Sequence, residues 1–339
     1  MKILLLADPF IPVPPRHYGG IERVVHDIAC QYVKMGHEVT LVAGPNSQSP
    51  GKLIEFGENG ELTTKLNFSS LAQLSRIFRR EIKRHDVLHN FGRLAFLLPI
   101  AWAKIRKVQT YMRYVSIKGI KIVNGIGTRN LIYTGVSDAI CKTGRPGGGE
   151  WTTIYNCAPV ESFVPKYDTN PNTGPLAFLG RLERCKGLHS AIEVAKKAKR
   201  QLIIAGNIST IPHEKAYFEN EILPQIDGEQ IKYIGVVDNI QKNELLANSS
   251  AMLLPIEWYE PFPIVLPESY ACGTPVLAFP NGGVPEGIEI GKTGFLSSST
   301  EEMAEQVAQI PSIDRRYCRQ IAENSYSDSV IARKYLELY

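Results

Sequence analysis

The 339-residue chain is 44% hydrophobic and 21% charged, with 28 glycines and 22 prolines, a composition that excludes global disorder and is long enough for two α/β domains. A net charge of +4 calls for no nucleic-acid partner, while it tolerates phosphate-bearing ligands or an anionic membrane surface. Six cysteines, at positions 30, 141, 157, 185, 272 and 318, are too scattered for a zinc cluster or a compact disulfide framework, so reduced thiols in a cytoplasmic protein are expected.

The chain opens as strand, loop, helix. Ile3 to Ala7 is a short apolar strand run, too short for a signal sequence and stopped at once by Asp8-Pro9. Pro9 to Gly20 reads as a loop, Ile21 to Lys34 has helical spacing, and Glu38 to Ala43 reads as the next strand after Gly36. Leu71 to Arg84 is a basic helix that leads into the brief strand Asp86 to His89. Further strands are expected at Lys107 to Tyr111, Lys121 to Asn124 and Leu131 to Gly135. No stretch approaches the ~20 apolar residues needed to span a bilayer. Alternation of short strands and helices argues for a mostly parallel sheet covered by helices.

Residues 163–175, rich in Pro, Asn, Asp and Thr, read as a linker between a first domain (1–162) and a second (176–323). In the second, strands are expected at 176–180, 201–205, 231–234, 251–255 and 275–279, with helices at 188–199, 214–222, 241–247, 264–272 and 300–309. The last helical run, within about 324–339, is expected to complete the first domain. Two such domains predict a ligand cleft between them.

Ligands of open parallel sheets sit beyond the C-terminal ends of the strands. Directly after strand 176–180 comes Gly180-Arg181-Leu182-Glu183-Arg184-Cys185-Lys186-Gly187. A guanidinium fork and a compact ammonium five residues apart suit neighbouring oxygens of a diphosphate and stabilise it as it departs. The competing reading is a solvated basic loop, which is how Arg184 is taken. After strand 251–255, Glu260 and Glu268 lie eight residues apart. They suit either a ligand role, toward sugar hydroxyls and a ribose, or a general acid and base. Trp258, Tyr259 and Phe262 either stack on a sugar or fill the domain edge. Gly19-Gly20 before the first helix, and Gly282-Gly283 after strand 275–279, allow close approach of an anion, although glycine pairs are most often plain turns. His89 follows its strand and is a candidate to face the cleft. No metal-ligand grouping, P-loop, dinucleotide fingerprint or esterase elbow is present, so no metal is expected. On the basic helix, Arg76, Arg79, Arg80, Lys83 and Arg84 accompany an apolar stripe that reads as core-facing. The charges offer a peripheral membrane contact.

Taken in order, Gly19-Gly20-Ile21-Glu22, Gly180-Arg181-Leu182 with Lys186-Gly187, Glu260-Pro261-Phe262 running to Glu268, and Gly282-Gly283-Val284-Pro285-Glu286 resemble the retaining glycosyltransferases of family 4. The resemblance implies the GT-B fold, two facing Rossmann-like domains with a central inter-domain cleft. It also implies transfer of a hexosyl unit with retention, by a same-face path assisted by the leaving diphosphate and without a metal or other cofactor. A UDP-sugar or GDP-sugar is the implied donor. The acceptor is left as a carbohydrate, a lipid-linked glycan or a small molecule, and the location as cytoplasmic, including the inner face of the membrane. Carried over by residue, Arg181 and Lys186 bind the diphosphate, Glu268 the ribose, and Glu260 the donor sugar. Gly19, Gly20, Phe262, Pro263 and Ile264 complete the binding set. Two departures stand out. Gln109 or Tyr111 occupies the place of the family's histidine, leaving His89 as its substitute, and Pro263 replaces the usual small residue. A nucleotide-sugar epimerase and a non-catalytic nucleotide-sugar-binding protein are the alternatives.

Overall fold

The computed structural model describes residues 1–15, 19–57 and 68–339. Residues 16–18 of the expected first loop lie outside the described residues. The chain forms two compact units, one of Met1–Asn156 with Asp328–Tyr339, the other of Cys157–Ser327.

The first unit is built on seven parallel strands: β1 (Lys2–Leu6), β2 (Glu38–Ala43), β3 (Lys52–Glu55), β4 (Val87–Asn90), β5 (Arg106–Tyr111), β6 (Leu131–Gly135) and β7 (Glu150–Thr153). Their order in space is β3-β2-β1-β4-β5-β6-β7. The chain therefore steps one way from β1 to β2 and the other way from β4 onward, which makes the β1/β4 boundary the topological switch point. Helices α1 (Gly20–Lys34), α2 (Phe68–Glu81), α3 (Ile117–Gly125) and α4 (Asp138–Gly144) connect the strands. Val24, Val25, Ile28 and Tyr32 fall on one stripe of α1 and are buried, and the final helix, Asp328–Leu336, packs against α1. Gln31 Nε2 donates to Asp328 Oδ2 at 2.6 Å, and the Tyr32 and Tyr339 hydroxyls meet at 2.7 Å. On the opposite face Leu4, Leu6 and Leu88 pack with Leu74 and Phe78 of α2 and with Phe96 and Leu97 of the turn Leu94–Ile100. Helices on both faces explain why β1 is almost continuously apolar.

The second unit carries six parallel strands: β8 (Leu176–Leu179), β9 (Leu202–Ala205), β10 (Ile231–Tyr233), β11 (Ala251–Leu254), β12 (Val276–Ala278) and β13 (Gly294–Leu296). They are ordered β10-β9-β8-β11-β12-β13, with helices α5 (Leu188–Lys197), α6 (Pro212–Tyr217), α7 (Asn239–Ala247), α8 (Val265–Ala271), α9 (Thr300–Val307) and α10 (Arg315–Ile321). Here the switch point lies between β8 and β11.

Two expectations change. Lys121 to Asn124 is helical, inside α3: Ser116 caps it by accepting from Gly119 N at 3.2 Å, and Ile120 and Val123 turn inward three residues apart. The β-branched run there imitates a strand, and the cap decides otherwise. Residues 163–175 are not a free linker but a strap on the second unit. Val164 N donates to Asn243 Oδ1 (2.8 Å), Thr169 Oγ1 to Ala247 O (2.9 Å), and Arg315 Nε to Lys166 O (2.8 Å). Ser137 is the N-cap of α4, where its hydroxyl accepts from Ile140 N at 3.1 Å. Strands β3, β7 and β13 escaped the pattern because they lie at sheet edges, and β3 and β7 alternate exposed with half-covered residues.

Candidate functional site

On the second unit the segments that follow β8 and β11 flank the switch point and are bound to each other. Arg181, just past β8, holds the Glu183 carboxylate through a guanidinium nitrogen, and Ser209 Oγ donates to the same carboxylate at 3.4 Å. The chain then makes a tight turn at Arg184–Lys186 and enters α5 through Gly187. Gly187 has φ +73°, and a Cβ there would come within 1.8 Å of Pro255 O, so only glycine lets this loop lie against the end of β11. Glu257 N donates to Cys185 O at 2.9 Å, and the Glu257 carboxylate receives Ser190 Oγ at 3.0 Å and meets His189 Nε2 at 2.8 Å.

This strapping delivers Lys186 to Glu260. Lys186 Nζ donates to Glu260 Oε2 at 2.5 Å, Trp258 Nε1 donates to the same oxygen at 2.7 Å, and the ammonium lies 5.1 Å from the Trp258 ring centre. Both charged side chains are largely covered. Glu260 is fixed through its backbone as well, because Gly283 N donates to Glu260 O at 2.7 Å. Gly282 (φ +64°) approaches so closely that a Cβ would come 2.2 Å from Glu260 O. The second glycine pair therefore holds Glu260 in place, and the N–H of Gly283 is spent on that carbonyl instead of an anion.

Of the remaining expected ligands, Phe262 is buried with its ring 5.7 Å from that of Tyr326, which makes it interior filling and not a sugar platform. Trp258 and Tyr259 are the exposed aromatics of the segment. Pro263 is buried, and Ile264 is half-buried at the entrance to α8. Glu268 lies on α8, only 3% exposed, and its Oε1 is held by Lys242 Nζ of α7, itself buried. Sequence reading missed Lys242, because nothing about a lysine in a polar helix marks a partner 26 residues away. Arg184 pairs with Glu221 and lies over the Tyr217 ring at 4.5 Å, in keeping with a surface charge.

On the first unit the switch point carries a second polar cluster. Asp8, beyond β1, is buried and holds the guanidinium of Arg113 from beyond β5. Arg93 N, beyond β4, donates to Asp8 Oδ1 at 3.3 Å. Asn90 Nδ2 donates to Gln109 Oε1 (2.6 Å) and to Arg93 O (3.0 Å), and Gln109 Nε2 donates to Gly92 O (3.0 Å), so a buried amide pair sets the loop that carries Arg93. Glu22, in the first turn of α1, is buried, and loss of hydration pushes its carboxyl pKa up from the ordinary range. Gly19 precedes it with φ +157°, and a Cβ there would press on Pro15 and on Glu22 Oε2 at 2.7 and 2.9 Å. Gly20 is the first residue of α1. Asp8, Arg93 and Arg113 each stand within three residues of a strand end, a signal legible once the strands are known.

His89 does not reach this edge. It is fully buried, its Nδ1 is 2.5 Å from the Tyr339 hydroxyl and its Nε2 2.6 Å from Thr110 Oγ1, so both nitrogens are engaged and the ring ties the final helix to the sheet. The catalytic role expected for it has no open face here. Gln109 is committed as above, and Tyr111 is buried against Trp151 and Tyr133 with ring centres 5.5 and 6.3 Å away. Burial holds the His89 pKa well below 6.5. Below that value the unfolded chain binds the extra proton first, so stability falls as pH falls from 6.5 toward the folded-state pKa. The thermal unfolding midpoint is expected to drop over this window, and His89→Gln should flatten the drop. An equally steep profile in the variant would assign the effect to other groups.

Among the described residues no group of three or more His, Cys, Asp or Glu is placed to hold a metal ion, and no helix is long and apolar enough to cross a membrane.

Residues 161–328 match the model of glycosyl transferases group 1, and residues 18–113 that of glycosyltransferase family 4. The chain is a glycosyltransferase of the GT-B fold, related to these two groups. The enzyme is 30% identical over 184 residues to glycogen synthase of Mycobacterium tuberculosis, a match covering 52% of this chain and 43% of that protein, so it spans less than half of that relative's length. Spore coat protein SA of Bacillus subtilis is 24% identical, with 100% of this chain and 99% of the relative covered. Among solved structures, HepE of Anabaena in complex with UDP and glucose superposes with a TM-score of 0.76 at 19% identity, covering 99% of this chain and 98% of that one. The superposition speaks for the fold alone.

Proposed function

We propose that the glycosyltransferase moves a hexosyl unit from a nucleoside-diphosphate sugar, bound on the second unit, to an acceptor hydroxyl with retention of anomeric configuration. The Lys186–Glu260–Trp258 cluster at the β8/β11 switch point carries this reading. Lys186 and Arg181 supply positive charge where a diphosphate takes up charge on departure, and each is pre-positioned by a carboxylate that yields part of its contact to the ligand. Glu260 Oε2 already accepts from an ammonium and an indole N–H, which leaves it a poor nucleophile and a good acceptor for sugar hydroxyls. That favours a same-face path in which the departing phosphate takes the acceptor proton, over a covalent glycosyl-enzyme. Glu268 is read as the ribose ligand, with Lys242 fixing its carboxylate. The structure of HepE with UDP and glucose supports a uridine nucleotide as the first donor to test.

The acceptor is assigned to the first unit. Arg93 and Arg113, drawn together by Asp8, suit an acceptor that carries a phosphate or carboxylate. The scattered spacing of the six cysteines, which makes no compact disulfide framework, supports work in a reducing compartment such as the cytoplasm.

The test is nucleoside-diphosphate release from a panel of donors with and without pooled acceptors, followed by anomeric analysis of the product by NMR. Acceptor-stimulated release and an α-linked product from an α-linked donor are expected. Donor conversion with no acceptor would point to an epimerase, and an inverted product would remove the same-face path. Arg113→Ala is expected to raise KM for anionic acceptors roughly tenfold, the loss of one charge-assisted contact, and to leave donor KM unchanged. A parallel rise in donor KM would move Arg113 to the donor site.

A further inference from the structure

The outer face of the first unit, formed by α2, the turn Leu94–Ile100 with its following residues, and α3, combines charge and apolar exposure in a way that donor chemistry does not use. Between Asp86 and Asp138 the sequence has no acidic residue and eight lysines or arginines. On α2 the sole acid, Glu81, is turned inward and held by Lys52, while Arg76, Arg79 and Arg80, with Lys83 of the turn that follows, face outward. Successive turns of α3 and its exit present Lys118, Lys121, Ile122, Ile126 and Arg129 outward, with Ile120 and Val123 packed inward. The three segments form one surface. The turn packs on both helices, Trp102 Nε1 donates to Ile126 O at 2.9 Å, and Arg129 N donates to Ala101 O at 2.9 Å. Trp102 is 65% exposed and Ile122 61% exposed within this field of cations.

We infer that this face docks on an anionic lipid bilayer, with Trp102, Ile122 and Ile126 entering the headgroup layer and the surrounding lysines and arginines lying against lipid phosphates. Charge complementarity selects an anionic partner, and the apolar side chains select the lipid. Isoleucines gain nothing against the sugar-phosphate backbone of a nucleic acid, whereas at a bilayer surface they leave water and tryptophan takes its preferred interfacial position. Lysines on this face bury their stems and keep their ammonium groups at phosphate level.

The full-length protein should co-sediment with vesicles of equimolar phosphatidylglycerol and phosphatidylcholine at least tenfold more strongly than with phosphatidylcholine alone, and less so as salt rises. A cation near such a surface is worth roughly fivefold in partition, so Lys118→Glu with Lys121→Glu should weaken vesicle binding more than tenfold. Trp102→Ser with Ile122→Ser should also weaken it, with retention on heparin and donor turnover in free solution unchanged. No preference for the anionic vesicles would overturn the inference. So would apolar variants that bind vesicles like the parent while the charge variants lose vesicles and heparin in parallel, the behaviour of a generic polyanion surface such as one for nucleic acid. Donor turnover reads out the transfer reaction separately, so failure of either reading leaves the other standing.

Discussion

Lys186→Ala is expected to lower kcat/KM for sugar transfer by roughly a hundredfold or more, with the larger part in kcat. The ammonium lies 2.5 Å from Glu260 and faces the switch point, where it stabilises charge that grows only as the diphosphate leaves. An interaction strengthened in the transition state is lost from kcat when removed. Lys186→Arg keeps the charge and changes its shape, and should recover part of the rate, because a guanidinium cannot replace a compact ammonium under the Trp258 ring without displacing Glu260. Initial-rate kinetics with saturating acceptor separate the terms. A kcat within threefold of the parent would detach Lys186 from the departing phosphate, and a rise in KM alone would make it a ground-state ligand.

Lys242→Ala carries the largest expected cost to stability, about 3–5 kcal/mol. Glu268 is 3% exposed and its charge is balanced inside the protein by Lys242, so truncating the lysine leaves a carboxylate that has lost both its partner and its water. Replacing both by apolar residues of similar volume, Lys242→Met with Glu268→Leu, should return most of that stability, since the orphaned charge is gone. Denaturant unfolding of the two variants beside the parent checks this. A single-variant loss under about 1 kcal/mol would mean that the pair behaves like a surface ion pair. The double variant is expected to stay folded and to lose donor affinity, which separates the structural and ligand roles of Glu268.

These predictions mark the division between what was legible in the chain and what was not. Arg181, Lys186 and Glu260 were legible because each stands a few residues past an apolar strand run, and the end of a parallel strand is where such sheets bind ligands. Which charged groups pair with which was not. Glu260 is bound by a lysine 74 positions away, Glu268 by one 26 away, and Asp8 by an arginine 105 away. Such pairs depend on which strands become neighbours, and local spacing carries no record of that.

His89 shows the same limit on the scale of one residue. Side chains alternate along a strand, and Leu88 faces the core beside α2. His89 must then face the other way, where the final helix waits with Tyr339. The sequence placed a histidine at a strand end but held nothing to say which face was the site. By itself it determined the two runs of alternating strand and helix, the loops that carry charge, and the glycines that let those loops turn. These follow from periodicity and backbone freedom, which act between near neighbours. Strand order, the switch points, the carboxylate partners of the lysines and the buried side of His89 were decided only in the folded chain, because they arise from packing between segments that the sequence keeps far apart.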